Sequence, residues 1–256
     1  LFFGPVVNAA RGIAFQVQNA VQGFSNNFQM ALNPQIIKSY AQNDFKRLHQ
    51  LIFASSKYAY FLLFFLSLPI IIEAPKILSV WLTEVPDHTV NFVRLILALI
   101  TFDSLGSSMS TAQQATGKIK TYQIWVGGIM LMIVPVAYVC LKMGTNPESV
   151  YIVYFSACII AHVARLIIIK SMIKLSLWDY FHKVLFRLAT VTVCASILPI
   201  ITYKLLPVTF MSLIVICVLC PISVTVSVYF LGLEQSERNM VNGKLKNMTQ
   251  KITSKR

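Results

Sequence analysis

The sequence predicts an all-α integral membrane protein, a bundle of about seven transmembrane helices. Three observations carry that expectation. Apolar stretches of about 20 residues recur along the chain, each long enough to cover a hydrocarbon core of about 30 Å. The mean hydropathy is +0.68 with only 12% charged residues, far from a soluble globular composition. Lys and Arg gather in alternate connections, as they do where loops face the cytoplasm. Lipid offers the backbone no hydrogen-bond partner, so a span is a helix or part of a closed barrel. Continuous apolar runs, rather than strict alternation, select helices.

The expected spans are 6–33, 55–74, 90–113, 122–141, 150–170, 184–203 and 208–232. The connections are short apart from 34–54 and 171–183. Segment 171–183, SMIKLSLWDYFHK, mixes apolar and basic residues and is expected to lie along the inner interface. Pro69, Pro75, Pro135, Pro199 and Pro221 sit within or at the edges of spans, where each removes a backbone donor and can bend its helix. Residues 1–175 read as one helical bundle, 176–232 as two additional helices, and 233–256 as a basic tail.

Orientation follows from charge. Most of the 22 Lys and Arg residues fall on one side: Lys38, Lys46, Arg47 and Lys57; Lys118 and Lys120; Arg165 to Arg187; and Arg238 onward. The other side holds Lys76, Arg94, Lys142 and Lys204. This pattern puts the N-terminus outside and the C-terminus in the cytoplasm. The net charge of +13 is thus a topology signal rather than a nucleic-acid footprint, with attraction of the tail to anionic lipid heads as a secondary effect. Trp81 and Tyr203 fall at the outer interface, and Tyr58, Tyr122, Trp125 and Trp178 at the inner one. The five cysteines all fall within spans. Cys217 and Cys220 have CxxC spacing inside an apolar helix without a nearby His or Asp, so they read as packing residues. The chain starts at Leu1 without a signal peptide, which is expected of a fragment whose earlier helices lie upstream.

The first span is unlike the rest. Residues 8–35, NAARGIAFQVQNAVQGFSNNFQMALNPQ, hold eleven Asn, Gln or Ser side chains, one Arg and no other charge. At 100° per residue, Asn8, Arg11, Gln18, Asn19, Gln22, Asn26, Gln29 and Asn33 share one sector, opposite Ala10, Ile13, Val17, Val21, Phe24, Phe28 and Ala31. Facing lipid, each amide would cost about 1–3 kcal/mol. The stripe therefore faces water or other polar side chains. One or two such residues would be helix–helix glue. Eight along one face are too many to pair in a dry seam, which favours a water-filled lumen.

A second stripe, Asp103, Ser107, Ser110 and Gln114, follows i, i+4, i+7, i+11. Asp103 is a candidate for ion coupling through H⁺ or Na⁺, for pairing with a cation of another lobe, or for a hydrogen-bonded packing role. Arg11 is a candidate for an anionic head such as pyrophosphate, or for snorkelling to outer head groups. Arg165 reads as a positive-inside anchor, His162 as a weaker site candidate, and Glu73 as interfacial.

Three runs carry a family resemblance: FFGPVVNAARGIAFQVQNAVQGFSNNFQMALNPQIIKSYA (2–41), LIFASSKYAYFLLFFLSLPIIIEAPKILSVWL (51–82) and AQQATGKIKTYQI (112–124). Over residues 1–175 the chain resembles bacterial polysaccharide-biosynthesis flippases of the O-antigen type. These share a superfamily with the multidrug and toxin extrusion (MATE) transporters. The resemblance implies the C-terminal lobe of a two-lobed transporter of twelve to fourteen helices, with residues 184–232 as two extra helices. It implies a cell inner-membrane protein that moves a polyprenyl-pyrophosphate-linked oligosaccharide from the inner to the outer leaflet. An ion gradient rather than ATP would drive it, and an N-terminal lobe would be the partner. The implied substrate residues are Arg11, Gln18, Asn19, Gln22, Asn26 and Gln29. A MATE-type extruder is the nearest alternative, followed by a glycan-handling membrane enzyme and a seven-helix receptor. Neither a cofactor nor a nucleotide motif is expected.

Overall fold

The computed structural model describes residues 3–207, 209–240 and 242–243, and among these the ordered elements are all helical. Helix α1 (Pro5–Ala41) is 37 residues long, about 55 Å. Pro5 sits in its first turn, where a missing N–H goes unnoticed. The helix runs on through Pro34 because Ile36 and Ser39 beyond it are buried, and their packing outweighs one lost backbone bond. The long connection expected at 34–54 is therefore a tight turn at 42–44. Asn43 takes the left-handed conformation there (φ 56°), and the Asp44 carboxylate caps α2 by accepting from the Arg47 N–H at 3.0 Å. Helix α2 (Phe45–Ile72) starts ten residues before the expected span, with Leu48 and Ile52 fully buried.

After a corner at Glu73, α3 (Ala74–Trp81) is short. Helices α4 (Thr89–Asp103) and α5 (Ser107–Ala115) form one span through a 3-10 turn at Ser104–Gly106. Gly117 (φ 71°) supplies the left-handed turn into α6 (Ile119–Leu131), which continues across Met132 as α7 (Ile133–Lys142). Helix α8 (Ser149–Ile173) ends at Lys174, itself left-handed. The chain then forms α9 (Leu177–Tyr180), a π-helical turn (Phe181–Phe186) and α10 (Arg187–Leu205) as a single span. Segment 171–183 is thus divided between two spans, and the buried Ile173, Leu175 and Tyr180 hold it against the bundle. Helix α11 (Phe210–Ser227) closes with a second π-helical turn (Val228–Gly232).

Among the described residues, six helical segments are long and apolar enough to cross a membrane: Phe45–Ile72, Thr89–Ala115, Ile119–Lys142, Ser149–Ile173, Leu177–Leu205 and Phe210–Gly232. The architecture is that of an all-α, multi-pass membrane protein. The count by length and apolarity is six rather than seven, because α1 is long enough but too polar.

The α4–α5 span is the centre, with α1, α2 and α8 packed on it; α6 and α7 lean mainly on α8, at the edge. Small residues set the close approaches. Ala10 and Ala14 of α1 are fully buried in a cluster with Phe92, Val93, Ile96 and Leu97. Ser56 of α2 donates to the Leu105 carbonyl (3.0 Å) and meets Ser108 (2.8 Å) in the interior. Helices α10 and α11 pack on each other and on α2, burying Phe64, Leu68, Ala195, Ile216 and Cys220. Pro199 cannot donate to the Ala195 carbonyl one turn earlier, and the Ser223 hydroxyl of α11 takes that place at 2.8 Å. Of the expected basic tail, residues 244–256 lie outside the described residues.

Candidate functional site

The polar face of α1 is uncovered along much of its length. Asn8, Arg11, Asn19 and Asn26 are exposed, and Gln18, Gln22 and Asn33 are half-buried. Gln18 donates to Gln22 along the helix at 3.1 Å. Gln29 differs from the other candidates. It is 6% exposed and donates to the buried Ser25 at 3.1 Å, so it is withdrawn from the open face. Three large apolar side chains of this helix are exposed as well: Phe15 within the polar sector, Met30 at its edge and Phe24 on the opposite side.

A cavity of about 400 Å³ opens between α1 and α8. Asn8, Arg11 and Gln18 line one wall, Tyr151 and Tyr154 the other, and Ile96 lies between them. Tyr151 lines this cavity, and its hydroxyl is buried with no hydrogen-bond partner among the described residues.

Farther along the chain, the second stripe is the accessible edge of the α4–α5 span. Asp103, Ser107 and Ser110 are partly exposed and Gln114 is exposed, while 104–106, 108, 109 and 111–113 are buried. Asp103 finds its cation within the chain: Arg165 of α8 donates to it at 3.0 Å. Arg165 thus turns into the bundle instead of anchoring at an interface. It crosses the 3-10 turn at Gly106, where any Cβ would collide with its guanidinium. Tyr122 borders both Ser110 and Arg165. At the far end α5 bonds to the last residue of the α1 stripe, with the buried Thr111 donating to the Asn33 side chain at 3.0 Å. His162 is buried, 3.4 Å from the Tyr180 hydroxyl and edge-on to Phe102, which places it in packing behind the groove.

Other polar groups close the ends of the bundle. Near the α2–α3 corner, Glu73 is fully buried and accepts from Lys76 (3.1 Å), which also donates to Ser212 (2.8 Å), so the Glu73 of this helix end sits in an ion pair within the protein. Where α4 and α8 begin, His88 just before α4 and Asn91 in its first turn both hydrogen-bond Glu148, at 2.6 and 3.1 Å. Burial pushes the Glu148 carboxyl up, but those two hydrogen bonds outweigh it and hold the group below the usual carboxylate range. Lys57 of α2, 3% exposed, pairs with Glu237 beyond the last span at 2.6 Å, and Tyr58 donates to the same carboxylate. No group of three or more His, Cys, Asp or Glu among the described residues has metal-holding geometry, and the five cysteines are unpaired.

Fold and site together define a multi-pass helical membrane protein with one amide-rich helix bordering an open groove. No family model matches the chain, and neither curated proteins nor solved structures give a significant match.

Proposed function

We propose that the chain is one lobe of an inner-membrane flippase that carries a polyprenyl-pyrophosphate-linked oligosaccharide from the inner to the outer leaflet by alternating access. In this reading α1 is a seventh span, the C-terminus is cytoplasmic, and a second lobe supplies the opposite wall of the lumen. The observation that carries it is the open polar face of α1 beside the α1–α8 cavity. A sugar head leaving water must exchange many hydrogen bonds, and the amides of Gln18, Asn19, Gln22 and Asn26 can replace them at neutral charge. Arg11, in the cavity wall, supplies a planar donor fork for the pyrophosphate. The polyprenyl chain stays in lipid, beside the exposed Met30 at the edge of the stripe.

Charge favours this cargo over the cationic drugs of a MATE-type extruder. Such a pump needs an unpaired acidic cavity, whereas Asp103 is held by Arg165 and Arg11 adds positive charge. Coupling to H⁺ or Na⁺ would act by competing with Arg165 for the Asp103 carboxylate. In the intact protein, Gln22→Leu and Asn26→Leu lower glycan flipping at least severalfold while the amount of protein in the membrane stays the same. Normal export in both variants removes the basis for the reading.

A further inference from the structure

A second cavity, of about 390 Å³, lies at the other end of the bundle, outside the groove. It forms where the two π-helical turns, Phe181–Phe186 and Val228–Gly232, flank the start of α10 and the end of α11. Arg187 and Arg238 both line it. Arg187 donates to the Gly232 carbonyl at 3.4 Å, and Arg238 donates to the Phe230 carbonyl. These carbonyls orient the guanidinium groups without neutralising them. Glu234 lies 3.7 Å from Arg187, and Glu237, the next acid along, is engaged by Lys57 and Tyr58. Arg238 Nε is buried and has no acceptor among the described residues. Two guanidiniums facing one carboxylate leave an excess of positive charge and donors to spare.

The rim is apolar and uncovered. Phe186 and Phe230 are 61% and 60% exposed on segments long and apolar enough to cross a membrane. Trp178, also exposed, stands against His182 of the cavity wall with ring centroids 4.2 Å apart. A basic recess rimmed by aromatic side chains at the end of two spans matches a ligand with a phosphate head and apolar chains. The geometry points to a binding site for the phosphodiester head group of an acidic phospholipid, held by Arg187 and Arg238 with its acyl chains along Phe186 and Phe230. This site is independent of the transport reading.

Trp178 provides the readout. The full chain carrying Trp81→Phe and Trp125→Phe is reconstituted in phosphatidylcholine vesicles, and brominated phosphatidylglycerol or brominated phosphatidylcholine is added as quencher. The site predicts half-maximal quenching at a roughly fivefold lower mole fraction of phosphatidylglycerol, and loss of that preference in R187Q/R238Q. A chain carrying Trp81→Phe and Trp178→Phe reports Trp125 on α6 and needs no arginine change; it shows no preference. Equal quenching of Trp178 by the two lipids overturns the site. So does the same preference at Trp125, or a preference that survives in R187Q/R238Q. Abolition of the preference by millimolar inorganic phosphate overturns the lipid assignment in favour of a free anion.

Discussion

Helix α1 and the α6–α7 span each leave a long face uncovered, and the two faces have opposite chemistry. On α1 the uncovered residues include Arg11, Asn19 and Asn26. On α6–α7 they include Trp125, Leu131, Met132 and Val134, with Leu131 and Val134 more than 70% exposed. Exposure alone therefore says little in this protein. The chemistry of the exposed face separates a surface made for acyl chains from one made for water. The buried faces differ as well. Ala10 and Ala14 bring α1 close to α4, whereas α6 and α7 touch little besides α8. Helix α1 is thus fixed by its small residues and free to present its amides.

Exchanging the two chemistries breaks the comparison most strongly. Leu131→Asn with Val134→Asn puts two amides into lipid at about 1–3 kcal/mol each. Asn19→Leu with Asn26→Leu on the α1 face shifts stability by less than about 0.5 kcal/mol. Thermal unfolding in lipid nanodiscs measures both pairs, and a similar loss in both erases the distinction. Next in size, Ala14→Leu overpacks the tight face of α1 and costs about 1–3 kcal/mol in the same assay.

Arg165→Ala asks whether the second stripe is wet. Asp103 is 36% exposed, so losing its partner costs about 1–2 kcal/mol, less than the 3–5 kcal/mol of a fully buried pair. A larger loss would mean a dry interface around Asp103. The smallest effect belongs to the loops before α4 and α8. The Glu148 carboxyl titrates below its ordinary value of 4.5 when folded, so its contribution is fully present above that value. It is lost as pH falls through the lower, folded value. Glu148→Gln removes that acid-dependent step from amide exchange of the two loops, and an unchanged profile means the hydrogen bonds with His88 and Asn91 contribute nothing.

Local periodicity exposed the helical class and the odd polarity of α1, because both are written within single helices. Turn positions were hidden where one left-handed residue does the work. Asn43 and Lys174 carry no Gly or Pro signal, so α2 and the span beginning at Leu177 start sooner than composition suggests. The partners of charged residues were hidden for another reason. Asp103 meets Arg165 across 62 positions and Lys57 meets Glu237 across 180, and only the order of helices around α4–α5 and α2 brings them together. Gly106 was the one local hint, since a glycine in a polar run often marks a close approach. The withdrawal of Gln29 to Ser25 shows the limit of a helical wheel: it finds the sector but not its edge.

A nitroxide spin label placed at position 26 on α1 or position 131 on α6, one at a time in a cysteine-free background, tests the wet face most directly. In reconstituted membranes, position 26 should collide preferentially with a water-soluble nickel chelate and position 131 with oxygen. Oxygen-dominated collisions at both positions would place the α1 amides in lipid and contradict the account.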